Sequence, residues 1–80
     1  MNDVIKNAVG HYMDLNYPVV IKKIKVEDGG GYFAEITELP GCYSDGETVQ
    51  EAYDNMQDSK RCWLEVAIER GQCIAEPNDN

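Results

Sequence analysis

Three consecutive glycines at positions 29–31 separate two segments that are rich in Val, Ile and aromatic residues. Glycine adopts the positive φ angles that tight connections between strands require, and the preceding Asp28 also favours a turn. The run therefore predicts a hairpin that joins a strand over residues 19–26, with one face in water, to a returning strand over residues 32–37. A hairpin of this kind requires an antiparallel sheet.

The segments on either side of the hairpin predict a helix before it and a third strand after it. Apolar residues at helical spacing indicate a short amphipathic helix over residues 2–13. The sequence Glu-Leu-Pro-Gly at residues 38–41 predicts a turn, because proline presets φ and glycine follows it without strain. A short strand at residues 42–44 comes after this turn.

A long helix is predicted from Thr48 to Gly71. Thr48 and Glu51 have the spacing of a capping box, and Gly71 is typical of a helix end. Seven apolar residues at the helical period are expected to face the sheet: Val49, Ala52, Tyr53, Met56, Trp63, Leu64 and Ala67. Ile74 and Ala75 are expected to add a short last strand. The order α-β-β-β-α-β predicts an α+β fold, with a small antiparallel sheet packed on one long helix.

The length of 80 residues leaves room for one domain. We expect this domain over residues 1–77, with an N-terminal helix (1–14), a core (17–77) and a disordered tail (78–80). No apolar run approaches the ~20 residues that span a membrane, and the N-terminus lacks the apolar stretch of a signal peptide. We therefore expect a cytoplasmic protein without a membrane partner.

Acidic residues outnumber basic ones by 15 to 7, for a formal net charge of -8. No Lys or Arg lies between Lys25 and Lys60, whereas nine acids do: Glu27, Asp28, Glu35, Glu38, Asp45, Glu47, Glu51, Asp54 and Asp58. A field of one sign repels phosphate backbones and attracts a basic partner. Composition alone leaves solubility and partner binding as alternative explanations, but direct nucleic-acid binding is not expected.

The residue types of the chain give little indication of a catalytic site. His11 is the only histidine and lies away from any nucleophile signature, so we interpret it as a surface or interface residue. Cys42, Cys62 and Cys73 lack metal-binding spacing and are interpreted as small, semi-buried hydrophobes. We expect no enzyme activity, cofactor or metal.

One catalytic alternative stays open at this point. Asp28, Glu35 and Asp45 could meet across adjacent strands and hold Mg²⁺ for hydrolysis of RNA. That chemistry also needs a groove that holds the nucleic acid, and no basic patch with interleaved aromatic residues is present.

The string DGGGYFAEITELPGCYSDGET at residues 28–48 is specific, and YPVVI at residues 17–21 and EA at residues 51–52 accompany it. Together they resemble the N-terminal domain of HicB antitoxins from about Tyr17 to Pro77. The resemblance implies a degenerate ribonuclease-H-like fold and an antitoxin that covers HicA, a small basic mRNA interferase, and blocks its catalytic histidine. It also implies a homo-oligomer, a dimer or a tetramer.

Two further expectations come from this resemblance. HicB proteins that repress their own operon carry a helix-turn-helix or ribbon-helix-helix segment after this domain. The chain stops within a few residues of Pro77, so we expect a stand-alone domain without operator binding. An orphan oligomeric domain that binds a different protein is the alternative to the antitoxin.

Six residues are predicted from charge and position to bind the toxin. The acidic ones would attract and pair with its Lys and Arg side chains, and the two tyrosines would fill the interface. They are Glu27, Asp28, Tyr32, Glu35, Tyr43 and Asp45.

Overall fold

The computed structural model describes residues 3–77, which form two α-helices, three strands and one short 3₁₀ helix. In chain order these are α1 (Asp3–Met13), β1 (Val20–Lys23), the 3₁₀ helix (Val26–Asp28), β2 (Tyr32–Glu35), β3 (Tyr43–Gly46) and α2 (Val49–Glu69). The strands form one antiparallel sheet in the order β1-β2-β3, and α2 packs against it. The predicted α+β fold is confirmed, whereas its ribonuclease-H-like character stays a prediction.

The predicted hairpin is present, with Val20 opposite Glu35 and Lys23 opposite Tyr32. Residues 29–31 have φ angles of 112°, 74° and 82°, so the glycine run is required by the backbone. β1 is shorter than predicted, because the 3₁₀ helix takes up the residues before the glycines. The expectation of one wet face was also wrong, since all four residues of β1 are exposed.

α2 begins and ends where the sequence predicts. The Thr48 side chain accepts a hydrogen bond from the Glu51 amide at 3.0 Å. The Glu51 carboxylate accepts a hydrogen bond from the Glu47 amide at 3.0 Å. In a standard capping box the donor would be the amide of the N-cap residue, which is Thr48. After α2, Gly71 has a φ of 67°.

The core lies between the sheet and α2. Its buried residues come from both layers and the connecting segments: Tyr17, Ala34, Ile36, Leu39, Cys42, Ala52 and Met56. Two residues of α2 that were predicted to face the sheet, Val49 and Tyr53, are instead 48% and 39% exposed. Both lie in the first two turns, where the buried side of α2 is narrow and is filled by Ala52 and Met56.

The predicted helix α1 is confirmed and packs against α2. Its apolar face is less buried than its periodicity indicates, because Val9 is buried while Val4 is 77% exposed. Within residues 3–77 no helix is long and apolar enough to cross a membrane.

The last predicted strand, at Ile74 and Ala75, was wrong. The segment is irregular, and it is held by side-chain contacts without strand pairing. Ile74 packs against the core, and the Tyr17 hydroxyl donates a hydrogen bond to the Ala75 carbonyl. The tail expected at residues 78–80 and the helical start expected at residues 1–2 lie outside the described residues. The single-domain organisation stays a prediction.

Candidate protein-interaction surface

The two faces of the sheet differ in what covers them. Ala34 on β2 is fully buried under α2, and a Cβ at Gly46 on β3 would lie 2.5 Å from the Ala52 amide nitrogen. Side chains alternate along a strand, so the neighbours of these residues point to the opposite side, which α2 does not cover. We call this side the open face, and its residues are Val20, Lys22, Phe33, Glu35, Tyr43 and Asp45.

An aromatic pair lies at the centre of the open face. The ring centroids of Phe33 and Tyr43 are 5.4 Å apart, and their planes are inclined by 34°. Phe33 is half-buried and Tyr43 is 54% exposed. With Ser44 and Asp45, the two rings line a shallow cavity of about 250 Å³. Rigid aromatic side chains with this exposure are typical anchors of protein interfaces.

Carboxylates flank the aromatic pair. Asp45 is directly opposite Phe33, and Glu35 is directly opposite Tyr43. Beyond one end of the strands, Glu27 and Asp28 are exposed on the 3₁₀ helix. The edge strand contributes the opposite charge, since Lys22 is opposite Phe33. The β2–β3 half of the open face is therefore acidic, whereas β1 is basic.

The structure brings together three of the six predicted site residues, Glu35, Tyr43 and Asp45, on the open face. Glu27 and Asp28 lie at the hairpin end. Tyr32 is on the other face, where it packs against the core. Phe33 was missed by the sequence reasoning, although its alternation with Glu35 along β2 already placed the two on one side.

The carboxylates considered for Mg²⁺ do not converge. Asp28 lies outside the sheet, and Glu35 and Asp45 are diagonal neighbours on β2 and β3. Within residues 3–77 no group of three or more His, Cys, Asp or Glu side chains could hold a metal ion. The nuclease alternative therefore gains no support from this geometry.

The remaining chemically active residues lie away from the open face. His11 is on the surface as predicted, with its Nε2 3.6 Å from the Glu76 carboxylate. Cys42 is buried, but Cys62 and Cys73 are exposed, so the expectation of semi-buried cysteines was wrong for those two. Burial raises the pKa of the Cys42 thiol, which lies in the core on the covered side of the sheet.

Comparisons with known proteins identify relatives of the chain. Residues 17–79 match the sequence model of a family described as the HicB-like antitoxin of a bacterial toxin–antitoxin system. A UPF0150 protein of Synechocystis sp. is 40% identical over 58 residues, which are 72% of this chain and 75% of the relative. A UPF0150 protein of Thermoplasma acidophilum is 32% identical over 66 residues, which are 82% of this chain and 88% of the relative.

A solved structure has the same fold. The crystal structure of TTHA0281 from Thermus thermophilus superposes with a TM-score of 0.64 and covers 94% of this chain and 86% of its own. The sequence identity of 22% makes this a likeness of fold alone.

Proposed function

The chain belongs to the HicB-like antitoxin family, and we propose that it neutralises a small basic ribonuclease of the HicA type through its open face. The family supports the role of an antitoxin with a toxin as its partner. The identity of the toxin and the way in which it is blocked are our proposal.

The observation that carries the proposal is the aromatic pair of half-buried Phe33 and exposed Tyr43, with a carboxylate opposite each ring. An enzyme that binds RNA presents positive charge to the phosphates of the RNA. Glu35 and Asp45 present negative charge, as phosphates do, from a rigid sheet. The aromatic rings supply apolar area that becomes buried at an interface. The open face can therefore occupy the surface that RNA would otherwise contact.

The charge distribution supports the orientation of this complex. Glu35 and Asp45 lie on the β2–β3 half, while the lysines of β1 lie at the edge of the sheet opposite β3. Such a field steers a basic partner toward the β2–β3 half. Exposed charges of this kind contribute mainly to the rate of association and to specificity, while buried aromatic residues contribute most of the affinity.

Inhibition by this route requires no reaction from the antitoxin. The complex blocks access to the catalytic histidine of the toxin by occupying the space above it. Tyr32 is half-buried against the core on the other face, so Phe33 and Tyr43 serve as the aromatic anchors in this proposal.

The proposal is tested by binding of the purified chain to the basic, histidine-containing product of the neighbouring reading frame. We expect association at low salt, at least tenfold weaker binding for Asp45→Lys, and similar loss for Phe33→Ala. The matched controls are Asp54→Lys and Tyr53→Ala, since both positions are exposed on α2, on the other side of the sheet. Thermal unfolding of each variant verifies that it is folded.

Two outcomes would contradict the proposal. Absence of association between the two purified proteins at low salt would exclude this partner. Equal losses for Asp45→Lys and Asp54→Lys would show that net charge, and not the open face, determines binding. Toxicity assays in cells give an independent readout, since Asp45→Lys should no longer protect against the toxin while Asp54→Lys should.

A further inference from the structure

The two outer edges of the sheet, on β1 and on β3, differ in what satisfies their backbone groups. The Ile36 amide donates to the Cys42 carbonyl at 3.0 Å, in continuation of the β2–β3 register. Hydrogen-bonded pairs alternate with non-hydrogen-bonded pairs in an antiparallel sheet, so Asp45 directs its amide and carbonyl away from β2. That carbonyl accepts a hydrogen bond from the Asn55 side chain of α2 at 2.9 Å. Part of the β3 edge is therefore occupied by α2.

The edge of β1 has no such cover. The Ile24 amide donates to the Gly31 carbonyl at 2.9 Å and continues the β1–β2 register. By the same alternation, Ile21 and Lys23 direct their amides and carbonyls away from β2. Within residues 3–77 none of these four groups forms a hydrogen bond. We call this side of β1 (Val20–Lys23) the free edge, and it offers two donors and two acceptors to another strand.

The side chains along the free edge are exposed, apolar at one end and basic at the other. Val20 is 36% exposed and Ile21 is 37% exposed. Lys22 and Lys23 follow them, and Lys25 is exposed just beyond the strand. In a chain with a net charge of -8 and 7 basic residues, three of the basic residues therefore lie together at this edge.

We propose that the free edge binds an extended acidic segment of a partner protein, which joins the sheet as an antiparallel fourth strand. The main chain of the segment pairs with the backbone groups of Ile21 and Lys23. Its acidic side chains lie beside the lysines, and its β-branched side chains lie beside Val20 and Ile21. In this mode of recognition, main-chain hydrogen bonds supply affinity and side chains supply specificity.

Charge favours an acidic segment over the other occupants of an exposed edge. Lysines on an edge strand oppose the addition of a strand of the same charge. Pairing of two β1 strands brings the lysines of both copies into one short ladder, and a basic toxin meets the same repulsion. The net charge of the chain opposes an acidic segment at long range, but salt screens charges beyond ~8 Å, so the nearest lysines dominate.

The length of the acidic part is limited by the surrounding charges. Glu35 is opposite Val20, at the apolar end of the free edge. Glu27 and Asp28 follow Lys25 on the 3₁₀ helix. Attraction is therefore confined to the region of the three lysines, and the matching segment has a short acidic run followed by β-branched residues.

A synthetic peptide tests the charge. In the blocked peptide Glu-Thr-Glu-Glu-Val-Ile-Thr, the glutamates come beside the three lysines when the valine is opposite Ile21. Calorimetric titration should show saturable binding below ~1 mM, and about tenfold weaker binding for Lys23→Glu. Lys6→Glu is the matched control, because Lys6 is exposed on α1, which packs on α2. Equal losses for the two variants would show that net charge alone determines binding.

Two competitors test the chemical class of the occupant. A peptide with lysine in place of every glutamate should bind at least tenfold more weakly than the acidic peptide. Single-stranded oligouridylate should not displace the acidic peptide at the same concentration. Binding of the lysine peptide with equal affinity, or displacement by the RNA, would overturn the assignment to an acidic protein segment.

Methylation of single peptide amides tests the addition of a strand. The amide of the valine faces the Ile21 carbonyl, whereas the amide of the adjacent isoleucine points away from β1. N-methylation of the valine should abolish binding, and N-methylation of the isoleucine should leave it within a fewfold. Both changes are made in the peptide, so the folding of the protein is not affected. Equal effects of the two modifications would exclude the proposed pairing.

Amide hydrogen exchange locates the bound peptide. At saturation, exchange of the Ile21 and Lys23 amides should slow by about tenfold, because both gain an acceptor. The Tyr43 amide, which points outward from the β3 edge, should exchange as it does without peptide. Protection of Tyr43 in place of Ile21 and Lys23 would assign the peptide to the β3 edge and overturn the proposal.

The toxin-binding assay separates this proposal from the proposed function. Lys23→Glu should leave association with the toxin within a fewfold of wild type, because the Lys23 side chain is on the opposite side of the sheet from the open face. Asp45→Lys, which weakens toxin binding, should not weaken binding of the acidic peptide. Loss of toxin binding in Lys23→Glu would show that the free edge receives the toxin, which would overturn the assignment to an acidic partner.

Discussion

At the scale of single residues, Lys60 is the least expected feature of the chain. It lies on the buried side of α2 and is 3% exposed. Its Nζ is 3.5 Å from the Met13 carbonyl oxygen and 4.9 Å from the centroid of the Tyr17 ring. Burial lowers the pKa of Lys60, while Cys42 and Asp14 act in the opposite direction. A cation in this position is stabilised by a ring and a carbonyl instead of a full ion pair.

The pKa of Lys60 predicts a dependence of stability on pH. Between its lowered pKa and its ordinary value of 10.5, the folded chain binds fewer protons at this residue than the unfolded chain. The free energy of unfolding of the wild type should therefore rise with pH relative to that of Lys60→Met across this window. Urea unfolding of both proteins from pH 7 to pH 10.5 measures the difference.

Lys22→Met is the matched control for this experiment, because Lys22 is exposed on β1. The free energy of unfolding of Lys22→Met should change with pH in the same way as that of the wild type. If the free energies of unfolding of the wild type and Lys60→Met differ by the same amount at every pH, burial of the Lys60 cation does not cost stability as proposed.

At the scale of elements, α2 and the hairpin are specified by short local signals. The Thr48 side chain satisfies one of the free amides in the first turn of α2. The Glu51 carboxylate accepts from the amide of Glu47, just before the helix. α2 also ties down β3, since the Asn55 side chain donates to the Asp45 carbonyl at 2.9 Å. The start of α2 is therefore linked to the part of β3 that carries Asp45 to the open face.

The N-cap predicts the energetic cost of one substitution. Thr48→Ala should lower the free energy of unfolding by ~1 kcal/mol, because the Glu51 amide loses its acceptor. Thr48→Ser keeps the hydroxyl and should stay close to the wild type. Urea unfolding measures both variants, and equal stabilities for Ala and Ser at this position would show that the cap does not stabilise α2.

At the scale of the whole molecule, the sheet has two different sides. The open face lies on one side, and α2 packs against the other. The chain segments before β1 and after α2 meet on the helix side, where the Tyr17 hydroxyl donates to the Ala75 carbonyl. This contact connects residues far apart in the sequence and holds the end of the described chain against the core.

Tyr17 predicts a second dependence on pH, of opposite sign to that of Lys60. Burial, followed by the charges of Tyr12, Glu76 and Glu38, raises the pKa of Tyr17 from 10.0 to about 12. The stabilisation by its hydroxyl is complete below pH 10 and is lost as the pH rises toward 12. Tyr17→Phe should cost ~1 kcal/mol at pH 8.

The stability difference between the wild type and Tyr17→Phe should decrease above pH 10. Thermal or urea unfolding at pH 8 and pH 11 measures this change. Tyr53→Phe is the control, since Tyr53 is 39% exposed and the removal of its hydroxyl should have little effect at either pH. If the wild type is more stable than Tyr17→Phe by the same amount at both values of pH, the pKa of Tyr17 is not raised.

Features that depend on neighbours along the chain could be predicted from the sequence alone. Residues 29–31 require glycine because each has a positive φ, and Thr48 begins α2 because its side chain reaches an amide three residues ahead. These interactions need no distant partner, so the hairpin, the start of α2 and the antiparallel sheet were all predictable. The acidic residues and Tyr43 were chosen from charge and position, and their part in binding stays a prediction.

The covered side of each element, in contrast, is set by tertiary packing. Alternation along β2 separates Tyr32 and Ala34 from Phe33 and Glu35, but the docking of α2 determines that the first pair faces the core. The same docking buries Lys60, because the ring of Tyr17 and the Met13 carbonyl lie beside it. A local pattern defines two faces, and the choice between them depends on contacts between residues that are distant in the sequence.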